Sequence, residues 1–276
     1  MSLRRKSILL GIAFGIYFSL YFVAIDEQVY FSSIIIKTSM GICELSYDGI
    51  IQITMSCFPI LIYLIVFGTD IYRHFCTAST YVFTRCENRS KWCIKEMWRL
   101  FFNTLLYVVL VPAIAMLIAS IKNKVVIDKP SLILYLYYVA IYTMFLFGMA
   151  LFINVMSIKI GTVKSYGIVV AVIMCLIVML CLWISIFPLE SEKMLSYDLI
   201  IANGELLKYD LFSHLILFWH SSTMDTLNSR INLFGINYDL SISLKCSIVF
   251  AVIMIIIGYV IIKEIDFINV NKEMEN

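Results

Sequence analysis

The sequence predicts an all-α integral membrane protein with six transmembrane helices and cytoplasmic termini. Three observations carry that expectation. Hydrophobic residues make up 62% of the 276 and charged residues only 14%, where soluble domains carry about a quarter charged residues. Six apolar stretches reach the roughly 20 residues a helix needs to cross a hydrocarbon core about 30 Å thick. None of the six holds an Asp or Glu, and Lys245, at the edge of the last, is their one cation.

The first stretch, 7–25, follows Arg4, Arg5 and Lys6. It exceeds the roughly 7–15 residues of a secretory signal core, and Val23-Ala24-Ile25-Asp26 offers no small-x-small cleavage site, so a retained anchor is expected. Gly11 and Gly15 fall four apart on one face of it, where they permit close helix packing. Spans two and three, 51–69 and 100–121, contain Pro59 and Pro112, each of which frees a carbonyl within its helix. Spans four and five, 131–158 and 166–187, are joined by a short turn at 159–165. The sixth is 242–262. A cytoplasmic loop, 70–99, and an outer loop, 188–241, are the only sizeable polar segments, so residues 1–276 form a single membrane domain.

With the N-terminus inside, 13 of the 21 Lys and Arg residues are cytoplasmic and 12 of the 19 acidic residues lie outside. Positive charge near span ends favours the cytoplasmic side, so both termini are placed there. Of the eight cysteines, Cys57, Cys175, Cys181 and Cys246 fall in spans, where thiols act as small hydrophobes. The others, Cys43, Cys76, Cys86 and Cys93, form no C-x-x-C pair, so no metal site is predicted.

The 70–99 loop is basic and aromatic. Arg85 and Arg89 are four apart, as are Lys91, Lys95 and Arg99, so each set shares a helix face. Trp92 and Trp98 suit the headgroup region. A short helix over 79–88 projecting into the cytoplasm is expected, followed by an interfacial helix leading into span three. The charges could anchor the loop to anionic lipid or dock a partner, and composition does not separate the two.

The Tyr-Val-Phe-Thr-Arg run at 81–85, followed by Asn88-Arg89, Lys91-Trp92 and Lys95, resembles the loop after the second span in permease-like membrane proteins of Gram-positive bacteria. These are similar to the type-2 class of ABC transporter permeases. The resemblance implies a type-2 ABC exporter-like permease fold in the bacterial cytoplasmic membrane. It further implies a coupling helix, with Tyr81, Phe83, Thr84, Arg85, Glu87 and Arg89 meeting a separate cytoplasmic ABC ATPase. ATP and Mg²⁺ would belong to that partner, with no cofactor in this chain. A second permease copy or a related permease would complete the pathway, and no nucleic acid is involved. The first outer loop, 26–49, is longer than this pattern expects, and the N-terminus is too short for a preceding interfacial helix.

In the outer loop Leu207, Leu211, Leu215, Phe218 and Trp219 recur at helical spacing. A helix with that apolar face would dip into the outer leaflet or cap the outer end of a conduit. Type-2 permeases similarly carry re-entrant or outer helices just before their last span.

An enzyme is not expected. His214, His220 and Asp225 are the nearest approach to a catalytic set, but on one helix residues six apart point in different directions. No H-E-x-x-H and no G-x-x-x-x-G-K-[ST] occurs. With no carboxylate inside a span, an intramembrane protease or ion-coupled carrier lacks its chemistry. The expected function is the permease subunit of an ATP-driven transporter, exporting an amphipathic or hydrophobic substrate such as an antimicrobial peptide. The alternative is a non-transporting immunity, sensor or scaffold protein.

Overall fold

The computed structural model describes residues 2–23, 28–40, 47–79, 89–186, 210–232 and 238–264. The helices are α1 (Leu3–Val23), α2 (Phe31–Thr38), α3 (Tyr47–Phe67), α4 (Asp70–Ser79), α5 (Arg89–Lys122), α6 (Lys129–Ile160), α7 (Thr162–Ile186), α8 (Asp225–Ile231) and α9 (Leu240–Glu264). Among the described residues, five stretches are long and apolar enough to cross a membrane: Ser56–Cys76, Ser90–Lys122, Lys129–Ile160, Thr162–Met179 and Leu240–Lys263. The architecture is that of a helical, multi-pass membrane protein.

Helix α6 is the hub. It packs against α9, α7, α5, α2 and α3, and Leu134, Ile141, Phe145, Ala150, Leu151 and Ile153 along it are fully shielded. The sequence sets both its ends. Asp128 caps the first turn, its carboxylate accepting from Ser131 N–H at 3.1 Å, with Pro130 where the missing N–H costs nothing. Gly161, with φ +83°, ends the helix, and α7 begins at the next residue. The turn expected over 159–165 thus contracts to that one glycine.

Helix α1 lies along α5. A Cβ built on Gly11 would stand 2.8 Å from Leu110 Cβ, and one on Gly15 would stand 2.5 Å from Ile114 Cβ. The pair of glycines therefore serves packing inside the chain. Between α1, α3 and α5 the interior is filled by rings: Tyr63 stacks on Phe67 and on Tyr107 with centroids 4.7 and 4.9 Å apart, and Phe14 meets Tyr107 edge-on at 6.3 Å.

Two features depart from the sequence expectation. Helix α5 runs unbroken for 34 residues, about 50 Å at 1.5 Å per residue, so its first turns extend the third span instead of forming a separate interfacial helix. The segment expected as the first outer loop contains α2, which buries Ile34 and Ile35 completely against α5 and α6. Eight residues are too few to span a bilayer, but an apolar turn buried against neighbours needs no such length.

Short parallel pairings tie the connections between helices. Val29 and Tyr30 pair with Val125 and Val126, and His220 and Ser221 with Tyr238 and Asp239.

Candidate functional site

Two polar clusters mark opposite ends of the bundle. At one end Asp70, the first residue of α4, accepts from Arg99 Nη2 at 2.7 Å and lies 3.7 Å from Lys6 Nζ of α1. Arg99 also meets Glu96 Oε2 at 2.7 Å, and His74 Nδ1 stands 3.6 Å from the same oxygen. Asp70 and Glu96 are buried, so each anion needs its cation to offset desolvation. The α3–α4 turn is held from the other side by Asn154 of α6, fully buried. Its Oδ1 accepts from Tyr72 N–H at 3.0 Å, and its Nδ2 donates to Phe67 O at 3.1 Å. Helix α4 is thereby fastened to α1, α5 and α6 at once.

The residues expected to dock a partner follow directly. Tyr81, Phe83, Thr84, Arg85 and Glu87 lie outside the described residues, and Arg89 opens α5 with its side chain outside them. The structure locates the two flanks of that segment, the end of α4 at Ser79 and the start of α5, and both flanks belong to helices joined by the Asp70–Arg99 pair.

At the opposite end, the segment from Asp210 enters the bundle. Leu215, Phe218 and Trp219 are buried, and Leu211 packs against the same core, while Leu207 lies outside the described residues. The apolar set does not form one α-helix. Two 3₁₀ turns, Ser213–Leu215 and Leu217–Trp219, meet at Ile216, whose φ −84° and ψ 86° break the spiral. Tyr142 Oη donates to Leu215 O at 2.9 Å, and Phe212 meets Phe145 edge-on at 6.2 Å. Tyr142 is 13 residues into α6, about 20 Å along its axis, so the segment reaches well below the N-terminal end of that helix.

That break overturns the spacing argument about the histidines. Because 213–219 is not a helix, His214 and His220 converge on one hydroxyl: Ser243 Oγ lies 2.8 Å from His214 Nδ1 and 2.6 Å from His220 Nε2. His220 Nδ1 is 2.9 Å from Ile216 O. A carbonyl only accepts, so His220 carries its proton on Nδ1, and Nε2 accepts from Ser243 O–H. The serine oxygen then accepts from His214 Nδ1–H. The result is a directed relay from His214 through Ser243 to His220. Burial, with the neighbouring His214 adding to it, holds His220 down to about 4 despite its bond to Ile216 O, so the ring is neutral at neutral pH. Asp225 is exposed in the first turn of α8 and no part of the relay. Ser243 was not legible beforehand, since nothing in sequence links it to histidines 23 and 29 positions away.

Beside the relay, Arg230 of α8 forks onto Asp128, with Nη1 also 3.1 Å from Ser32 Oγ and the guanidinium 4.4 Å above the Tyr30 ring. This clasp joins the Val29–Tyr30 strand, α2, α6 and α8. Among the described residues no three His, Cys, Asp or Glu side chains are arranged to hold a metal ion. No family of known proteins, no curated protein and no solved structure matches the chain.

Proposed function

We propose that the chain is the membrane-spanning permease subunit of an ATP-driven transporter in the bacterial cytoplasmic membrane. In this reading α1 supplies a sixth span, the fold is of the type-2 permease kind, and a separate ABC ATPase holding ATP and Mg²⁺ engages 81–89. The observation that carries it is the Asp70–Arg99 latch. Helices α4 and α5 flank the docking segment, and Asp70–Arg99–Lys6 and Asn154 fasten them to α1 and α6. Force applied at 81–89 would act on the helices that build the core instead of dissipating in a loose loop.

The transported molecule is amphipathic or hydrophobic, an antimicrobial peptide being the best fit to walls of aliphatic and aromatic side chains. Among the described residues, the space between Phe18, Pro59, Tyr107 and Tyr138 is only about 20 Å³, about one water. The passage would therefore form with a second permease copy.

The tight packing of those side chains also favours the second reading, a non-transporting immunity or sensor protein acting through its outer segment. The tagged chain should co-purify an ABC ATPase and stimulate its turnover in proteoliposomes, and Arg85→Glu with Phe83→Ala should uncouple it while the protein still folds. Absence of any associated ATPase, with peptide resistance unchanged by the double substitution, would leave the non-transporting reading standing.

A further inference from the structure

The surface between α5, α6 and α9 carries an apolar groove of about 360 Å³. Ile94, Trp98 and Phe101 of α5, Phe147 of α6, and Val252 and Ile255 of α9 are among its walls. Trp98 is 55% exposed and Val252 46%, so the groove opens sideways toward lipid. Its lower end is closed where Tyr259 Oη of α9 meets Ser90 Oγ of α5 at 3.2 Å.

Helical periodicity places cations beside that closure. On α5, Lys91, Ile94, Trp98 and Phe101 form one stripe at steps of three and four; on α9, Ile248, Val252, Ile255, Tyr259 and Lys263 form another. Lys91 and Lys263 thus continue the two walls past the lower end of the groove, and Lys95 flanks the first. All three are exposed, and none makes an ion pair among the described residues. From Ile248 to Tyr259 is about 16 Å along the helix, close to one leaflet of a hydrocarbon core about 30 Å thick. A one-leaflet apolar trough ending in hydroxyls and ammonium groups has the polarity profile of a single phospholipid.

We infer that this groove binds an anionic phospholipid from the leaflet on the side of the Asp70–Arg99 latch. An acyl chain lies along Trp98 and Val252, and the phosphate sits between Lys91, Lys95 and Lys263 beside the Ser90–Tyr259 pair. The site stands independently of the transport reading, since it needs neither an ATPase nor a transported substrate.

The test uses the full chain in vesicles of equimolar phosphatidylglycerol and phosphatidylcholine, with bromine on the acyl chains of one lipid at a time. Subtracting the signal of Trp98→Phe isolates Trp98 fluorescence. Brominated phosphatidylglycerol should quench Trp98 at about one fifth of the mole fraction that brominated phosphatidylcholine needs, the advantage of roughly one well-placed lysine near the surface. Lys91→Gln with Lys95→Gln and Lys263→Gln should abolish that preference. Val252→Phe, at an exposed position, should fill the trough and weaken quenching with the lysines intact. Equal quenching by both lipids overturns the site. So does a preference that survives the triple substitution, or one indifferent to Val252→Phe, which would mean attraction to the surface without a groove.

Discussion

Arg230 donates from Nη2 to Asp128 Oδ2 at 2.7 Å and from Nη1 to Asp128 Oδ1 at 3.1 Å, across 102 positions of sequence. Asp128 does two jobs there, since the same carboxylate caps α6 through Ser131 N–H and Ser131 Oγ–H. The two can be separated. Asn is as good an N-cap as Asp, so Asp128→Asn removes the ion pair alone, whereas Asp128→Ala removes both. The expected losses are about 1 kcal/mol for Asn at a partly exposed pair and about 1 kcal/mol more for Ala, read from tryptophan-fluorescence melting in detergent micelles. Arg230 holds the Asp128 carboxyl down to about 2. A depressed carboxyl contributes stability above its unfolded value near 3.8 and loses it as pH falls toward 2, so the wild-type advantage over Asp128→Asn should vanish in that window.

The segment from Asp210 carries two buried groups that titrate in opposite senses. His220 is lowered to about 4 from 6.5 by burial, so the unfolded chain binds the proton first and stability falls as pH drops from 6.5 to 4. Asp210 is raised to about 6 from 3.8 by burial, against its bonds from Phe212 and Ser213 N–H. There the native state binds the proton first, and stability falls as pH rises from 3.8 to 6. Between pH 4 and 6 the two slopes oppose each other. Asp210→Asn should therefore make stability rise more steeply with pH across that window, and His220→Gln alone should leave stability falling as pH rises there. Melting temperatures collected from pH 4 to 7 decide it.

Much of the bundle was readable because burial in a membrane leaves a composition signature. The stretches around 100–121, 131–158 and 242–262 are apolar on every face, and each lies within a single observed helix. The capping of α6 was readable in principle too, in Asp128-Lys129-Pro130-Ser131. The His214–Ser243–His220 cluster was not. Periodicity presumes a regular helix, and at 207–219 it suggested one, whereas burial against Tyr142 and Phe145 selected two 3₁₀ turns with a break at Ile216. Once tertiary contacts override local preference, the spacing of His214 and His220 no longer reports their distance, and their shared partner Ser243 is found only in three dimensions. The Asp70–Arg99 latch joins Lys6, Asp70 and Arg99 from three helices, and charge patterning in any one of them gives no sign of it.

Thr143 Oγ1 on α6 and Ser247 Oγ on α9 are buried without a hydrogen-bond partner. A buried hydroxyl left unsatisfied carries its desolvation penalty with no return. Thr143→Val and Ser247→Ala, which keep shape or shrink it slightly, should each leave stability unchanged or raise it by up to about 1 kcal/mol. Ser243→Ala, one turn from Ser247, should instead cost about 1–3 kcal/mol, because it strips the donor from His220 Nε2 in a buried site. Parallel melting curves of the three variants compare them directly, and equal losses for Ser243→Ala and Ser247→Ala would contradict the relay.

Helices α1 and α5 approach so closely at Gly15 that an added Cβ would lie 2.5 Å from Ile114 Cβ, 2.8 Å from Ile114 Cγ2 and 3.0 Å from Val111 O. The first two contacts involve a β-branched side chain with little rotational escape, and the third is backbone, so relief requires the helices to separate. Gly15→Ala should cost about 1–3 kcal/mol, as overpacking typically does, with Gly11→Ala milder because its nearest side-chain contact, Leu110 Cβ, is 2.8 Å away and its nearest backbone contact, Tyr107 O, 3.5 Å away. Separation would also strain the Lys6–Asp70 approach of 3.7 Å at the N-terminal end of the same helix. Replacing Ile114 with Gly in the Gly15→Ala background removes the nearest obstacle and should recover part of the loss. If Gly15→Ala instead disrupted only self-association while monomer stability held, the two glycines would be an interface between copies, and the packing of α1 on α5 would be wrong.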